Sequence, residues 1–219
     1  MSRAPGTQGP HDHEPVIFAG APVERARAGA IFVHGRGADA RDILGLAREV
    51  DPGDVAYAAP EAAGHTWYPY SFLAPIDENE PGISSGLRVL DRLVGQFKAA
   101  GIPAERILLL GFSQGACLAL EYAARHARRF GGIAGLSGGL IGPPGTPRNY
   151  HGSFEDTPVF LGCSDDDPHI PKERVLETKD VFQRMRAQVT MRLYPAMGHE
   201  VSADELDFVR QLLARMVAR

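Results

Sequence analysis

The stretch LLLGFSQGACLA, residues 108–119, places Ser113 between two glycines, where an apolar run ends and an alanine-rich run begins. The run before it, 107–112, is apolar on consecutive residues, which is typical of a strand buried on both faces of a parallel sheet. The run after it, 114–125, has the composition of a helix. Because glycine is unfavourable inside either element, the pair of glycines predicts a tight turn at Ser113 that other groups approach closely.

Short apolar runs recur along the chain and alternate with amphipathic ones. The predicted strands are 30–35, 55–60, 107–112, 132–138, 158–163 and 189–195, with 16–20 as an edge strand. Apolar residues at spacings of three and four predict helices around 83–97 and 175–185, and Ser202 with Glu205 predicts a capping box before a last helix. This alternation indicates an α/β fold with a mostly parallel central sheet and helices on both faces.

Length and composition indicate one domain. The 219 residues are 44% hydrophobic and 23% charged, which is ordinary for a globular protein. We predict a flexible N-terminal tail at 1–15, in which His11 to His13 have no function, and a single domain at 16–219. The longest irregular stretch, 61–81, is rich in proline and aromatic residues, and loops of this length are often functional.

The same observations exclude several kinds of partner. The net charge is −4 and no long basic run is present, so we expect no binding to nucleic acid. We expect no membrane span, since no apolar stretch is long enough. The only cysteines, Cys117 and Cys163, are interpreted as buried free thiols in a reducing compartment, which favours a cytoplasmic location. The sequence leaves a homodimer open.

The G-x-S-x-G pattern at Ser113 predicts a serine nucleophile presented at the carboxyl edge of the sheet. A hydroxyl needs a histidine base that is held by a carboxylate. His199 follows the last predicted strand, and the acids Asp165, Asp166 and Asp167 follow the strand before it. We favour Asp167 as the acid, since the proline after it restricts its backbone to an extended conformation; Asp165 is the competitor. The alternatives are a chance glycine–serine motif, a solvated loop histidine and an acidic turn.

The acyl-transfer chemistry also needs backbone N–H groups that stabilise an oxyanion. One donor is expected from Gln114, which follows the serine, and the other from Arg36 in the glycine-containing loop HGRGAD, residues 34–39. The alternative for this loop is an ordinary glycine turn. Among the aromatic residues of the 61–81 stretch, we select Trp67 as a wall of the substrate pocket; the alternative is that it covers the sheet edge.

Taken together, HGRGAD, GFSQGA, DPHIP and GHE resemble the phospholipase/carboxylesterase family, which includes bacterial carboxylesterases and acyl-protein thioesterases. The resemblance implies an α/β-hydrolase fold with little or no cap, and hydrolysis of a small-molecule ester or thioester without a cofactor or metal. It carries the catalytic triad over to Ser113, Asp167 and His199, and the oxyanion donors to Arg36 and Gln114.

Two features depart from the family pattern. The acidic loop is longer by a couple of residues, which keeps Asp165 in competition with Asp167. Arg36 stands where an apolar residue is common in the thioesterases, and its charge suits a small or anionic ester; alternatively, the side chain points to solvent or pairs with Asp39. The sequence thus predicts a serine carboxylesterase for small to medium acyl esters. The alternatives are an acyl-protein thioesterase, a lysophospholipase and, from another class, a non-catalytic binding protein of the same fold.

Overall fold

The computed structural model describes residues 8–218. Its strands are β1 (Val16–Gly20), β2 (Ala28–Val33), β3 (Val55–Pro60), β4 (Ile107–Phe112), β5 (Gly132–Leu136), β6 (Pro158–Ser164) and β7 (Gln188–Tyr194). Its α-helices are α1 (Ala40–Val50), α2 (Gly82–Ala99), α3 (Gln114–Arg125), α4 (Lys172–Arg184) and α5 (Ala203–Val217). Every predicted strand is present, with bounds that shift by at most two residues.

One seven-stranded sheet organises these elements, in the order β1-β3-β2-β4-β5-β6-β7. Strand β1 pairs antiparallel with β3, and all other pairs are parallel. The predicted fold class is therefore confirmed. Because the parallel strands share a direction, the loops after β2, β4, β6 and β7 meet at one edge of the sheet, where ligands bind in open α/β folds.

Helices cover both faces of the sheet. Side chains alternate along each strand, so Ile31 and Val33 of β2 join the core beneath α2, α3 and α4, whereas Ala30 and Phe32 join the core beneath α1 and α5. The predicted capping box is present at the start of α5, where the Ser202 hydroxyl accepts from the Glu205 N–H and the Glu205 carboxylate accepts from the Ser202 N–H.

The connection from β5 to β6 departs from strand–helix alternation, because residues 137–157 contain no α-helix. Two buried charged side chains, Glu121 of α3 and Arg174 of α4, hold this segment. The carboxylate of Glu121 accepts from the Ile141 N–H at 3.1 Å. The guanidinium of Arg174 donates to the carbonyls of Leu140 and Gly142, both at 2.6 Å. Neither this segment nor 61–81 adds a helical cap over the sheet edge. Within residues 8–218, no helix has the length and apolar character to cross a membrane.

Part of the predicted flexible tail is ordered. Residues 1–7 lie outside the described residues, but His11 is buried and its ring packs edge-on against Trp67, with the ring centres 5.1 Å apart. His11 Nε2 lies 2.8 Å from the Trp67 carbonyl, and Nδ1 accepts from the Ala63 N–H at 3.0 Å. Burial lowers the pKa of His11. The prediction of a structureless 1–15 segment is thus wrong around His11, since contacts more than fifty residues away decide its position.

Candidate active site

Ser113 stands in a strained turn between β4 and α3. Its backbone has φ 55° and ψ −122°, a conformation that a residue with a side chain rarely adopts. The flanking glycines permit it. A methyl group on Gly111 would lie 2.3 Å from the Gly115 carbonyl oxygen, and one on Gly115 would lie 2.2 Å from the Val33 carbonyl oxygen. Helix α3 therefore crosses β4 and β2 at backbone contact, which only glycine allows, and the Ser113 side chain is left at the sheet edge.

The side chains of Ser113, His199 and Asp167 form one hydrogen-bonded line. His199 Nε2 lies 2.8 Å from Ser113 Oγ, and His199 Nδ1 lies 2.8 Å from Asp167 Oδ2. The imidazole is 18% exposed, whereas the Asp167 carboxylate is fully enclosed. An ionised carboxylate only accepts hydrogen bonds, so the proton of the neutral ring sits on Nδ1 and leaves Nε2 free to accept from the serine.

The surroundings of Asp167 keep it charged although it is enclosed. Burial opposes ionisation, but His199 and the backbone N–H groups of His169 and Ile170 donate to the carboxylate, and together they lower the pKa of Asp167. The two backbone donors lie 2.8 and 3.0 Å from Oδ1, so Oδ2 alone serves His199. Sequence reasoning missed these two donors, although both stand in the DPHIP motif.

The neighbouring acids, Asp165 and Asp166, form hydrogen bonds with groups other than His199. Asp165 Oδ1 accepts from the Ala196 N–H at 3.0 Å, which ties the acidic loop to the loop that carries His199. Asp166 Oδ1 accepts from the Ser164 hydroxyl at 2.6 Å. Neither contacts the imidazole, so the geometry favours Asp167 over Asp165 as its partner. The His199 ring itself lies against Phe112, at 5.0 Å between ring centres, and meets His169 edge-on at 4.8 Å.

The loop after β2 approaches the serine. A methyl group on Gly35 would lie 3.3 Å from Cβ of Ser113. The Gly37 N–H is occupied, since it donates to the His65 carbonyl at 2.8 Å. Within the described part of the chain, the N–H groups of Arg36 and Gln114 donate to no protein acceptor. Both remain available for a ligand oxygen, which is what the predicted oxyanion donors require.

The Arg36 side chain does not pair with Asp39, whose carboxylate instead caps α1 by accepting from the backbone N–H groups that open that helix. The guanidinium donates to three consecutive carbonyls of the 61–81 stretch: Nη2 to Tyr68 at 2.9 Å and to Tyr70 at 2.7 Å, and Nη1 to Pro69 at 2.9 Å. Arg36 is nevertheless exposed. Neither interpretation of this residue anticipated that it holds a loop.

The Gln114 side chain holds the same loop from the other side. Its Nε2 donates to the Tyr68 carbonyl at 2.8 Å, and its Oε1 accepts from the Trp67 N–H at 2.9 Å. The Tyr68 carbonyl therefore accepts from both residues whose backbone N–H groups are the predicted oxyanion donors. Sequence reasoning considered only the backbone of Gln114.

A pocket of about 400 Å³ opens beside Ser113 and His199. Trp67 is not among its lining residues, so that prediction is wrong; Trp67 is fully buried, and its indole N–H donates to the His34 carbonyl at 3.0 Å. The residues that line the pocket include Arg36, Tyr68, Tyr70, Phe72, His169 and Ile170.

The cysteines offer no competing nucleophile. Burial raises the pKa of both the Cys117 and the Cys163 thiol to about 12, so neither forms a thiolate near neutral pH. Cys163 lies behind Asp167, with Sγ 3.8 Å from Oδ2. Among residues 8–218, no cluster of three or more histidine, cysteine, aspartate or glutamate side chains is arranged to hold a metal ion.

Comparison with known proteins shows to which family the chain belongs. The family model described as Phospholipase/Carboxylesterase matches residues 14–217. The chain belongs to the phospholipase/carboxylesterase family. Within it, a crystal structure of a phospholipase/carboxylesterase from Dyadobacter fermentans is 42% identical, with a TM-score of 0.89, over 93% of this chain and 97% of that one.

Curated relatives of this family member share a shorter stretch. Acyl-protein thioesterase 1 of Gibberella zeae is 30% identical over 151 residues, and acyl-protein thioesterase 1 of Schizosaccharomyces pombe is 35% identical over 142 residues. The matched stretches cover 64% and 63% of this chain and 61% and 62% of those proteins. The chain thus spans about three-fifths of the length of the curated relatives that it matches.

Proposed function

We propose that this protein is a serine carboxylesterase that hydrolyses small to medium acyl esters through an acyl-enzyme intermediate. The observation that carries the proposal is the line from Asp167 through His199 to Ser113, with 2.8 Å at each step. Membership of a family of ester hydrolases supports it. A non-catalytic binding protein would have no need for a nucleophile, base and acid in hydrogen-bond contact.

In the first half of the reaction, Ser113 Oγ attacks the ester carbonyl carbon while its proton passes to His199 Nε2. The charge on the carbonyl oxygen is stabilised by the N–H groups of Arg36 and Gln114. His199 then returns the proton to the leaving alkoxide, and the acyl group stays on Ser113. In the second half, water attacks the acyl-enzyme by the same route, and Asp167 keeps the imidazolium oriented and charge-balanced throughout.

The size of the pocket supports short acyl groups. Its volume of about 400 Å³ lies near the lower end of ligand sites, which run from roughly 300 to 1,000 Å³. The similarity to acyl-protein thioesterase 1 supports a second candidate, hydrolysis of acyl-protein thioesters by the same residues. A lysophospholipase is a third. The cytoplasmic location stays a prediction, and a homodimer stays an open possibility.

The decisive experiment compares wild type with Ser113→Ala. A fluorophosphonate probe should label wild type stoichiometrically at Ser113. The variant should not be labelled, and its kcat for ester hydrolysis should be lower by a factor of about 10⁶. The melting temperature should stay close to that of wild type, since the hydroxyl lies at the sheet edge. A variant that keeps more than about a thousandth of the activity refutes Ser113 as the nucleophile. Values of kcat/KM for butanoyl and palmitoyl oxygen esters and thioesters then separate the candidates.

A further inference from the structure

We infer that the pocket selects esters that carry a carboxylate, and that the Arg36 guanidinium is the group that selects them. This inference rests on the proposed function and names its substrate class. Arg36 lines the pocket that contains Ser113, so a charge on a bound substrate lies in the same small space as the reacting ester.

The guanidinium keeps unused capacity for an anion. It has five N–H donors, and three of them donate to the carbonyls of Tyr68, Pro69 and Tyr70. The Nε–H and one Nη1–H remain without an acceptor among the described residues. The three carbonyls are neutral, so they fix the position of the group without cancelling its charge. The three hydrogen bonds therefore fix the Arg36 guanidinium in place while it remains charged. It loses little conformational entropy when it binds a carboxylate.

No acid among the described residues pairs with this cation. Within the described residues, no aspartate or glutamate lines the pocket, although the chain carries a net charge of −4. The nearest candidate in sequence, Asp39, is engaged at the start of α1. The triad acid Asp167 is fully enclosed and accepts from His199 and from two backbone N–H groups. The pocket lining thus carries the positive charge of Arg36 and no aspartate or glutamate, and the charge of Asp167 lies behind the His199 ring.

The chemistry of the rest of the pocket limits the size of the ligand. The lining includes the aromatic residues Tyr68, Tyr70 and Phe72, from the stretch that Arg36 holds, and Ile170, from the segment after β6. These groups accept a short carbon chain, and the cation at the rim accepts its charged end. The inferred substrate is accordingly a short ester with a carboxylate on its acyl or its alcohol part.

Two pairs of isosteric esters test the inference. In the first pair, monoethyl succinate carries the carboxylate on its acyl part, and ethyl 4-methylpentanoate is its neutral isostere. In the second pair, butanoyloxyacetate carries the carboxylate on its alcohol part, and isobutyl butanoate is its neutral isostere. In wild type, we expect kcat/KM for the anionic member of at least one pair to exceed that of its neutral isostere by about twofold to fivefold, the range for an exposed charge pair. The pair that shows the preference locates the carboxylate.

Variants assign the preference to the side chain. Arg36→Gln should abolish the anionic preference, whereas Arg36→Lys should keep it even where loss of the loop contacts lowers both rates. Raised salt should weaken the preference in wild type. Arg215→Gln, an exposed position in the last turn of α5, is the matched control and should retain it.

Two results overturn the inference: equal kcat/KM within both pairs for wild type, or a preference that survives in Arg36→Gln. Failure of the proposed function looks different, since wild type would then hydrolyse none of the four esters.

Discussion

Replacement of Asp167 by asparagine tests how the triad is held. The two backbone N–H groups of His169 and Ile170 decide the orientation of the new amide, because both point at Oδ1. If the amide oxygen stays there, its NH₂ group faces His199 Nδ1. That nitrogen must then accept, so the ring proton moves to Nε2, where it blocks transfer from Ser113.

The opposite orientation of the amide is costly. It would turn the NH₂ group toward the two N–H donors, of which that of His169 is exposed and that of Ile170 is half-buried, and both would lose their acceptor, at about 0.5–1.5 kcal/mol each. The sum of about 1–3 kcal/mol favours the orientation with the wrong imidazole tautomer. We therefore expect Asp167→Asn to lower kcat by about 10⁴, which corresponds to about 5.5 kcal/mol in the barrier.

The assay is kcat for 4-nitrophenyl butanoate at neutral pH, with circular dichroism to verify the fold. Asp165→Asn is the matched control: its side-chain oxygen still accepts from the Ala196 N–H, so kcat should change by less than about threefold. The reasoning is refuted if Asp167→Asn stays near wild-type activity, and the acid is misassigned if Asp165→Asn is the inactive variant.

Two further predictions concern stability. Gly115→Ala should cost about 3 kcal/mol or more and lower the melting temperature by about 6–12 °C, since the new methyl group meets the Val33 carbonyl at 2.2 Å; the control Gly95→Ala, where nothing lies within 4 Å, should instead stabilise α2 by about 1 kcal/mol. An equal effect of the two changes would contradict the close crossing of α3. Burial raises the pKa of Glu205, so its neutral form is favoured in the folded state, and wild-type stability should fall as the pH rises through that pKa. Glu205→Gln, which can keep the capping box, should lack this fall; urea unfolding of both proteins at pH 5 and pH 8 measures it, and parallel changes would refute it.

Local sequence carried much of the prediction of fold and site. Consecutive apolar residues mark buried strands, and glycines on both sides of Ser113 mark the turn, because each signal reflects a constraint within a few residues. Asp167 was also favoured over Asp165 locally, from the proline after it, and its carboxylate lies 2.8 Å from His199. These signals place Ser113 after β4, Asp167 after β6 and His199 after β7, and parallel strand order then brings them to one edge.

Contacts between distant segments set the limit of that reasoning. An aromatic loop was expected beside the pocket, but which of its side chains turn inward depends on partners elsewhere. Trp67 faces away because its indole N–H finds the His34 carbonyl, and His11 is ordered because it packs on that same indole. The side-chain contacts of Arg36 and Gln114 likewise join segments more than thirty residues apart, and no local pattern indicates them.

The walls of the pocket have a consequence for protein engineering. The side chains of Arg36 and Gln114 hold the loop of Tyr68 through its main-chain carbonyl groups. The carboxylate of Asp167 holds the loop of His169 through its main-chain N–H group. Exchange of the wall side chains, such as Phe72 or Ile170, leaves those bonds in place and is a route to new substrate ranges at preserved turnover. Insertions or deletions in either loop shift the main chain and disturb the residues of the proposed catalytic site. Libraries that vary side chains at constant loop length should therefore yield more active variants than libraries that vary loop length.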